Sequence, residues 1–322
     1  MTDAAAAVRD EVERALPPSR LPLTGWSAPR AREWSWHFDA VGGGGRLLVK
    51  VPRWEGVDTL EAALAAGPQE ATAGEFSSLE SIFDAVARSG DSGLAAVRPV
   101  AYVPAVNAIV LDRLDAVPLV NRLTWSTSAA DGIDVLDRVG RLLRLFHGIG
   151  GFVDAPFDGR SAAARLRERF ADGPAAIQIV GESVARMAER LDGRAVATGT
   201  IHGDFSRRNI LVTRDERVAA IDPNRYTGSA ASDLAHLAAE LVLGRSRLVT
   251  LGLVPGAVRV HRWVAALVDG YGPHDEAFFE YEWAVEGLAR WIDLEQGRSG
   301  PAGLLVTVNR RLFRSEIARL VA

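Results

Sequence analysis

The sequence predicts an α+β protein in two parts, a small β-rich part over residues 1–113 and a larger helical part over 114–322. Three observations carry this reading. Strand-like stretches crowd the first third: "EWSWHFDAV", "RLLVKVP", "VRPVAYVP" and "NAIVLDRL". Helical spacing dominates after Pro118, over 130–148, 161–192, 232–243, 257–270 and 276–296. The one interruption, "NILVTRDERVAAID" (209–222), reads as two short strands around a charged turn.

Taken in order, "MTDAAAAVRDEVERALPP" is an amphipathic helix stopped by two prolines. It lacks the basic start and apolar block of a signal peptide. No stretch reaches the roughly 18 uninterrupted apolar residues that a membrane helix needs, so no membrane partner is expected and the compartment expected is the cytoplasm. Residues 33–53 form a β-hairpin in which Gly42 to Gly45 make the turn. A phosphate loop would end in Gly-Lys-Ser/Thr and lead into a helix, whereas Gly45 leads into Arg46 and a strand. Residues 70–88 are helical, with Glu75, Leu79, Ile82, Phe83 and Val86 at helical spacing. The strand pattern then ends between Asp112 and Pro118.

Composition narrows the function. The net charge of −4 argues against a nucleic-acid partner, which asks for a basic surface. The lack of cysteine excludes disulfides, thiolate metal sites and thiol nucleophiles. Of 37 basic residues only one, Lys50, is lysine. A chain that uses arginine almost everywhere has kept one compact point charge, on a strand.

The densest chemistry lies in "TIHGDFSRRNILVTRDERVAAIDPNRYTGSAASDLAHL" (200–237). Asp204 sits on a loop, Asn209 follows five residues later, and the hairpin returns Asp222. Such a set suits phosphoryl transfer. One carboxylate takes the proton of an attacking hydroxyl, and the other carboxylate and the amide offer hard oxygens to Mg²⁺.

"HGDFSRRN" followed by "AIDP" resembles the aminoglycoside phosphotransferase family, related to choline kinases and built on a bilobal protein-kinase-like fold. The resemblance implies that Asp204 is the catalytic base and that Asn209 and Asp222 are metal ligands. "SDLAHLAAEL" also fits the family, with Asp233 as a brace for the catalytic loop. "VGRLLRLFHGI" (139–149) resembles the helix that precedes the loop and makes His147 a packing residue. In protein kinases a lysine two residues after the base reaches the γ-phosphate. Ser206 stands there in this chain, and Arg207 or Arg208 either supplies the positive charge or is a solvated surface residue.

Within this resemblance Lys50 becomes the strand lysine that contacts the α- and β-phosphates, held by a helix glutamate. Glu75 is the expected partner, with Glu70 and Glu80 as alternatives. Lys50, Glu75, Ser206 and Arg207 are thus expected at the nucleotide, ATP or GTP, lying between the two lobes. A nucleotide-covering turn is expected near "LTGWSAPRA" (23–31), between two early strands.

The resemblance implies transfer of the γ-phosphoryl group to a hydroxyl of a small molecule, expected to be an aminoglycoside, a sugar or an amino sugar. Eight acids between 269 and 295 stand against Arg290 alone. Glu282 and Glu286 share a helix face. They favour a cationic aminoglycoside or amino sugar, unless that face is solvated and Glu286 pairs with Arg290. Trp263, Tyr271, Phe278, Phe279, Tyr281, Trp283 and Trp291 either cage a quaternary amine, as for choline, or fill the core. A nucleoside or other metabolite kinase, and a silent nucleotide-binding scaffold, are the remaining readings. The sequence leaves the oligomeric state open.

Overall fold

The structure is a computed structural model and describes residues 3–54, 57–66, 69–124, 126–223, 226–244, 256–297 and 301–321. The chain forms two compact units, Met1–Ala116 with Ile221–Pro223, and Val117–Ala220 with Asn224–Ala322. The first unit extends past the residue 113 read from the strand pattern, and it takes back the short segment that carries Asp222.

In the first unit, α1 (Asp3–Ala15) precedes β1 (Arg30–Ala31), β2 (Ser35–Gly42), β3 (Gly45–Pro52), α2 (Leu60–Ala65), α3 (Glu70–Ser89), β4 (Pro99–Val103) and β5 (Ala108–Asp112). The strands make one antiparallel sheet in the order β1-β2-β3-β5-β4. Alternation assigns the two faces. Phe38, Ala40, Leu47, Val49, Val51, Ala108 and Val110 are buried with Val8 and Val12 of α1 and Leu60 and Ala63 of α2. The opposite face carries Lys50, directly across from His37 on β2 and Ile109 on β5.

The hairpin is where the sequence puts it, and its glycines have a packing reason. A Cβ on Gly42 would lie 2.3 Å from the Arg20 carbonyl oxygen, and one on Gly44 2.4 Å from the Arg20 guanidinium. Arg20 is buried against the turn and pairs with Asp112 at 2.8 Å. The segment 23–31, expected as a nucleotide-covering turn between two early strands, runs alongside β2. Thr24 bridges to Val41, Ser27 N donates to the Asp39 carbonyl, and Arg30 and Ala31 pair with β2. It is an edge partner of β2, and the turn joining β1 to β2 is residues 32–34.

The second unit holds most of β6 (Ala116–Pro118), then α4 (Leu119–Arg122), α5 (Ala129–Gly150), β7 (Phe152–Pro156), α6 (Gly159–Phe170), α7 (Ala175–Arg190) and β8 (Ala195–Ile201). β9 (Ile210–Thr213), β10 (Val218–Ala220), β11 (Tyr226–Ser229), α8 (Ala230–Leu243), α9 (Ala257–Tyr271), α10 (Glu276–Gln296) and α11 (Pro301–Val321) complete it. The helix expected over 161–192 is two helices, because Gly173 and Pro174 break it. The helical part also contains a three-stranded sheet, β11-β8-β7, that periodicity did not reveal. Its central strand "AVATGTI" is rich in β-branched residues but is interrupted by Gly199 and lacks a clean apolar–polar alternation. No described helix is long and apolar enough to cross a membrane.

The aromatics of α9 and α10 settle one sequence-level choice. Trp263, Tyr271, Phe278, Phe279, Tyr281, Trp283 and Trp291 are all buried. Phe278 stacks edge-on with Phe157 and Trp291 lies flat on Phe313, so they are core.

Candidate active-site residues

In the first unit the lone lysine is clamped by two carboxylates. Lys50 Nζ donates to Glu75 Oε1 at 2.7 Å and to Asp222 Oδ1 at 2.7 Å. Glu75 lies in the second turn of α3, one face of which is tied to the sheet by Leu79 and Ile82. Glu70 and Glu80 point to solvent, so Glu75 is the partner. The Lys50 side chain is 11% exposed. Burial alone would lower its pKa, but Asp222 and Glu75 outweigh that and hold the ammonium above its usual range. Asp222 reaches the lysine from a strained backbone, φ +56°, sparsely populated by residues other than glycine. Its side chain is 45% exposed.

His37 was not singled out in the sequence. It lies across from Lys50 and its Nε2 is 2.8 Å from Ser35 Oγ. Burial, then the Lys50 charge, push its pKa down to about 4, so the ring is neutral at pH 7. A lone histidine in an alternating strand gives no signal of this; only the register does.

In the second unit, β8 runs into loop 202–209 and β9 leaves it. Asp233 at the start of α8 accepts from His202 N at 2.7 Å and Gly203 N at 2.9 Å. His147 donates to it through Nε2 at 3.1 Å, and the Tyr271 hydroxyl sits 2.9 Å from the other ring nitrogen. Burial would raise the Asp233 pKa, but these donors win and hold it low. A carboxylate held in this way braces the loop, and His147 is a buried structural link.

Gly203 has φ +81°, and a Cβ there would lie 2.3 Å from Tyr226 Cδ2. Only glycine fits both conditions. Phe205 is fully buried, 5.5 Å from the His202 ring, and anchors the loop on its apolar side.

These anchors leave the Asp204 side chain 46% exposed. Asn209 Nδ2 donates to Asp204 Oδ2 at 2.8 Å and to its carbonyl at 3.1 Å. Ser206 closes the turn through its main chain: its N–H donates to the Asp204 carbonyl, and its own carbonyl accepts from Asn209 and Ile210. Arg207, expected at the nucleotide, is held by α8. Its main-chain N donates to Glu240 Oε2 at 2.8 Å, its guanidinium pairs with Glu240 at 3.3 Å, and it is buried. Its charge is already neutralised on α8, whereas Arg208 is exposed.

Acids on α10 complete the surroundings. Glu286 pairs with His236 at 3.0 Å, while Glu282 accepts from Ser229 Oγ at 3.2 Å. The Glu282–Glu286 face therefore turns toward α8 rather than to solvent. Burial pushes the Glu282 carboxyl up to about 7, the Ser229 bond opposes this, and the Glu286 charge adds to it.

The donor set bears on a divalent metal. Asn209 spends its amide hydrogens on Asp204, which leaves its carbonyl oxygen as a ligand. Asp222 engages Lys50 through Oδ1. Among the described residues no group of three or more His, Cys, Asp or Glu is arranged to hold a metal alone. Asp222 in the first unit and Asn209 in the second each carry oxygen of the hard type that Mg²⁺ takes.

The chain is similar in structure to a glucosamine kinase in complex with glucosamine, ADP and inorganic phosphate, at 17% identity and TM-score 0.55, covering 98% of this chain and 99% of that one. It is similar to a spectinomycin phosphotransferase in complex with ADP and spectinomycin, at 13% identity and TM-score 0.51, covering 98% of each chain. A choline kinase from Streptococcus pneumoniae gives 14% identity and TM-score 0.50, covering 99% of this chain and all of that one. At these identities the likeness establishes the fold, the kinase-like α+β fold. No curated protein matches in sequence. A family model described as "Phosphotransferase enzyme family" matches residues 41–284. With most of its length matched, the chain belongs to the phosphotransferase enzyme family and is a small-molecule kinase.

Proposed function

We propose that the protein transfers the γ-phosphoryl group of ATP to a hydroxyl of a small cationic acceptor, an amino sugar or aminoglycoside. The observation that carries this reading is Asp204. It is open to approach, tied through one oxygen to Asn209, and mounted on a loop braced by Asp233. Asp204 takes the acceptor's hydroxyl proton on Oδ1, the oxygen attacks the γ-phosphorus, and the bond to the ADP oxygen breaks. Lys50 contacts the α- and β-phosphates, with Glu75 fixing its position. Asn209 and Asp222 would hold Mg²⁺, which neutralises phosphate charge when bound. One ammonium between two carboxylates leaves Glu75, Asp222 and Lys50 with a net negative charge, as a metal site requires.

A cationic acceptor is favoured by Glu282 and Glu286, which turn inward near the His236–Asp204 pair. Choline is disfavoured because the aromatics that could cage it are packed in the core. The presence of base, amide and lysine together speaks against a silent scaffold. The test is Mg²⁺-dependent ATP consumption with glucosamine, spectinomycin, choline and glucose. Turnover with an amine-bearing sugar supports the reading. Turnover with choline alone, or ATP binding with no acceptor-stimulated consumption, overturns it.

A further inference from the structure

One face of α8 grips the catalytic loop at three successive points. Asp233, His236 and Glu240 stand at positions i, i+3 and i+7, one stripe of a helix. Asp233 takes the main-chain N–H groups of His202 and Gly203, and Glu240 takes that of Arg207. Between them His236 Nε2 lies 3.8 Å from Asp204 Oδ1. The outer two hold the backbone, and the middle one faces the reacting carboxylate.

The His236 ring is itself fixed. Arg290 Nη2 is 3.2 Å from Nε2, and arginine can only donate, so Nε2 is an acceptor. The proton of the neutral ring is then on Nδ1 and is donated to Glu286 Oε2 at 3.0 Å. The charged groups facing the ring are Asp204 from the loop and Glu286 and Arg290 from α10, and the charges of Arg169 on α6 and Glu282 on α10 couple to Glu286. Burial would raise the Glu286 pKa, but the His236 hydrogen bond and the Arg290 charge hold it down, so it remains an ionised acceptor.

We propose that His236 is a positioning residue for Asp204. An aspartate carboxylate turns easily about its last torsion. Asn209 holds Oδ2, and the His236 edge closes the path by which Oδ1 could swing away. Glu286 and Arg290 keep the ring from following. Oδ1 is thereby left as the oxygen presented to the acceptor's hydroxyl. This rests on the reading of Asp204 as the base.

The experiment measures kcat and the ATP KM of wild type, His236→Ala, His236→Gln, Glu286→Leu and Asp204→Asn. The substrate is the best acceptor of the panel above, or water as acceptor if none is turned over. Histidine ring nitrogen shifts are recorded in parallel, with His236 assigned by its loss in the Gln variant. The expected result is a kcat loss of tenfold or more in His236→Ala with the ATP KM within twofold, and partial recovery in His236→Gln. Glu286→Leu should lose activity similarly and blur the Nδ1-protonated signature of His236. A His236→Ala kcat within twofold of wild type overturns the proposal, as does an equal loss of ATP affinity, which marks a structural role. If His236→Ala fails to fold, His236→Gln and Glu286→Leu decide by the same criteria. Full activity in Asp204→Asn would sink the base assignment instead. Loss in Asp204→Asn with normal His236→Ala confines the failure to this inference.

Discussion

The two units hold their key side chains by different means. In the first, Lys50 is fixed by charge: one buried cation between Glu75 and Asp222. In the second, Asp204 is fixed by geometry: main-chain N–H groups docked on Asp233 and Glu240, and an amide on one oxygen. The charge clamp suits the role proposed for Lys50, which is to meet phosphates and carry its charge throughout. The hydrogen-bonded loop suits a group that must change protonation without losing its place. Removing a group from the first should therefore disturb stability and nucleotide handling together. Removing the base from the second should disturb chemistry alone.

The largest expected effect is at Asp204, the proposed base. Asp204→Asn should lower kcat by about 10²–10⁴-fold, the usual worth of general-base catalysis. ATP affinity, measured by titration calorimetry, should stay within about twofold, because no nucleotide-facing group moves. A large parallel loss of ATP affinity would erase the contrast between the two units.

At the lysine, stability and turnover should separate. Lys50→Arg keeps the charge but places it wrongly, and a misplacement of about 1 Å can cost about 10²-fold in rate. Its melting temperature should change little. Lys50→Met leaves Glu75 and Asp222 facing each other uncompensated. Breaking the buried Lys50–Glu75 pair costs about 3–5 kcal/mol, which thermal unfolding will register as a clear drop. Near-normal kinetics in Lys50→Arg would mean that Lys50 is only a structural ion pair.

How much of this was legible in the sequence divides along the same line. Lys50, Glu75, Asp204, Asn209 and Asp222 were marked by residue type and spacing, and the structure brings Lys50, Glu75 and Asp222 together in one unit and Asp204 and Asn209 in the other. His236 and Glu240 were not marked. They make contacts only because α8 runs alongside the loop, a matter of packing that no local pattern encodes. The surroundings of Arg207 were hidden for a related reason. An arginine after a catalytic loop looks free until the helix beneath it supplies a glutamate. The β-hairpin and most helices followed from periodicity, while β8 is interrupted by Gly199 and α11 carries the β-branched run Val306 to Val308, which masks a helix. The glycine in "HGD" was legible as part of a motif, but its cause, a positive φ beside Tyr226, was not. Gly203→Ala should cost about 1–3 kcal/mol from overpacking and unseat Asp204 as well, seen as a joint fall in melting temperature and kcat.

The smallest expected effect concerns the acceptor and is a matter of pH. The Glu282 carboxyl is raised to about 7 from an ordinary 4.5, first by burial and then by the Glu286 charge. The neutral form is thus favoured below pH 7, and a bound ammonium favours the ionised form. Binding a cationic acceptor should therefore become harder as pH falls through 7, with KM for glucosamine rising by up to about tenfold per pH unit. A neutral sugar such as glucose should show no such rise. Glu282→Gln should flatten the glucosamine profile, because the group that must ionise is gone. The same shift predicts a stability effect of fixed sign. Between pH 4.5 and 7 the folded protein binds the proton more tightly than the unfolded chain, so the Glu282 contribution to stability declines as pH rises through that window. A glucosamine KM that is flat from pH 6 to 8 in the wild type would show that Glu282 faces a seryl hydrogen-bond network and not the acceptor.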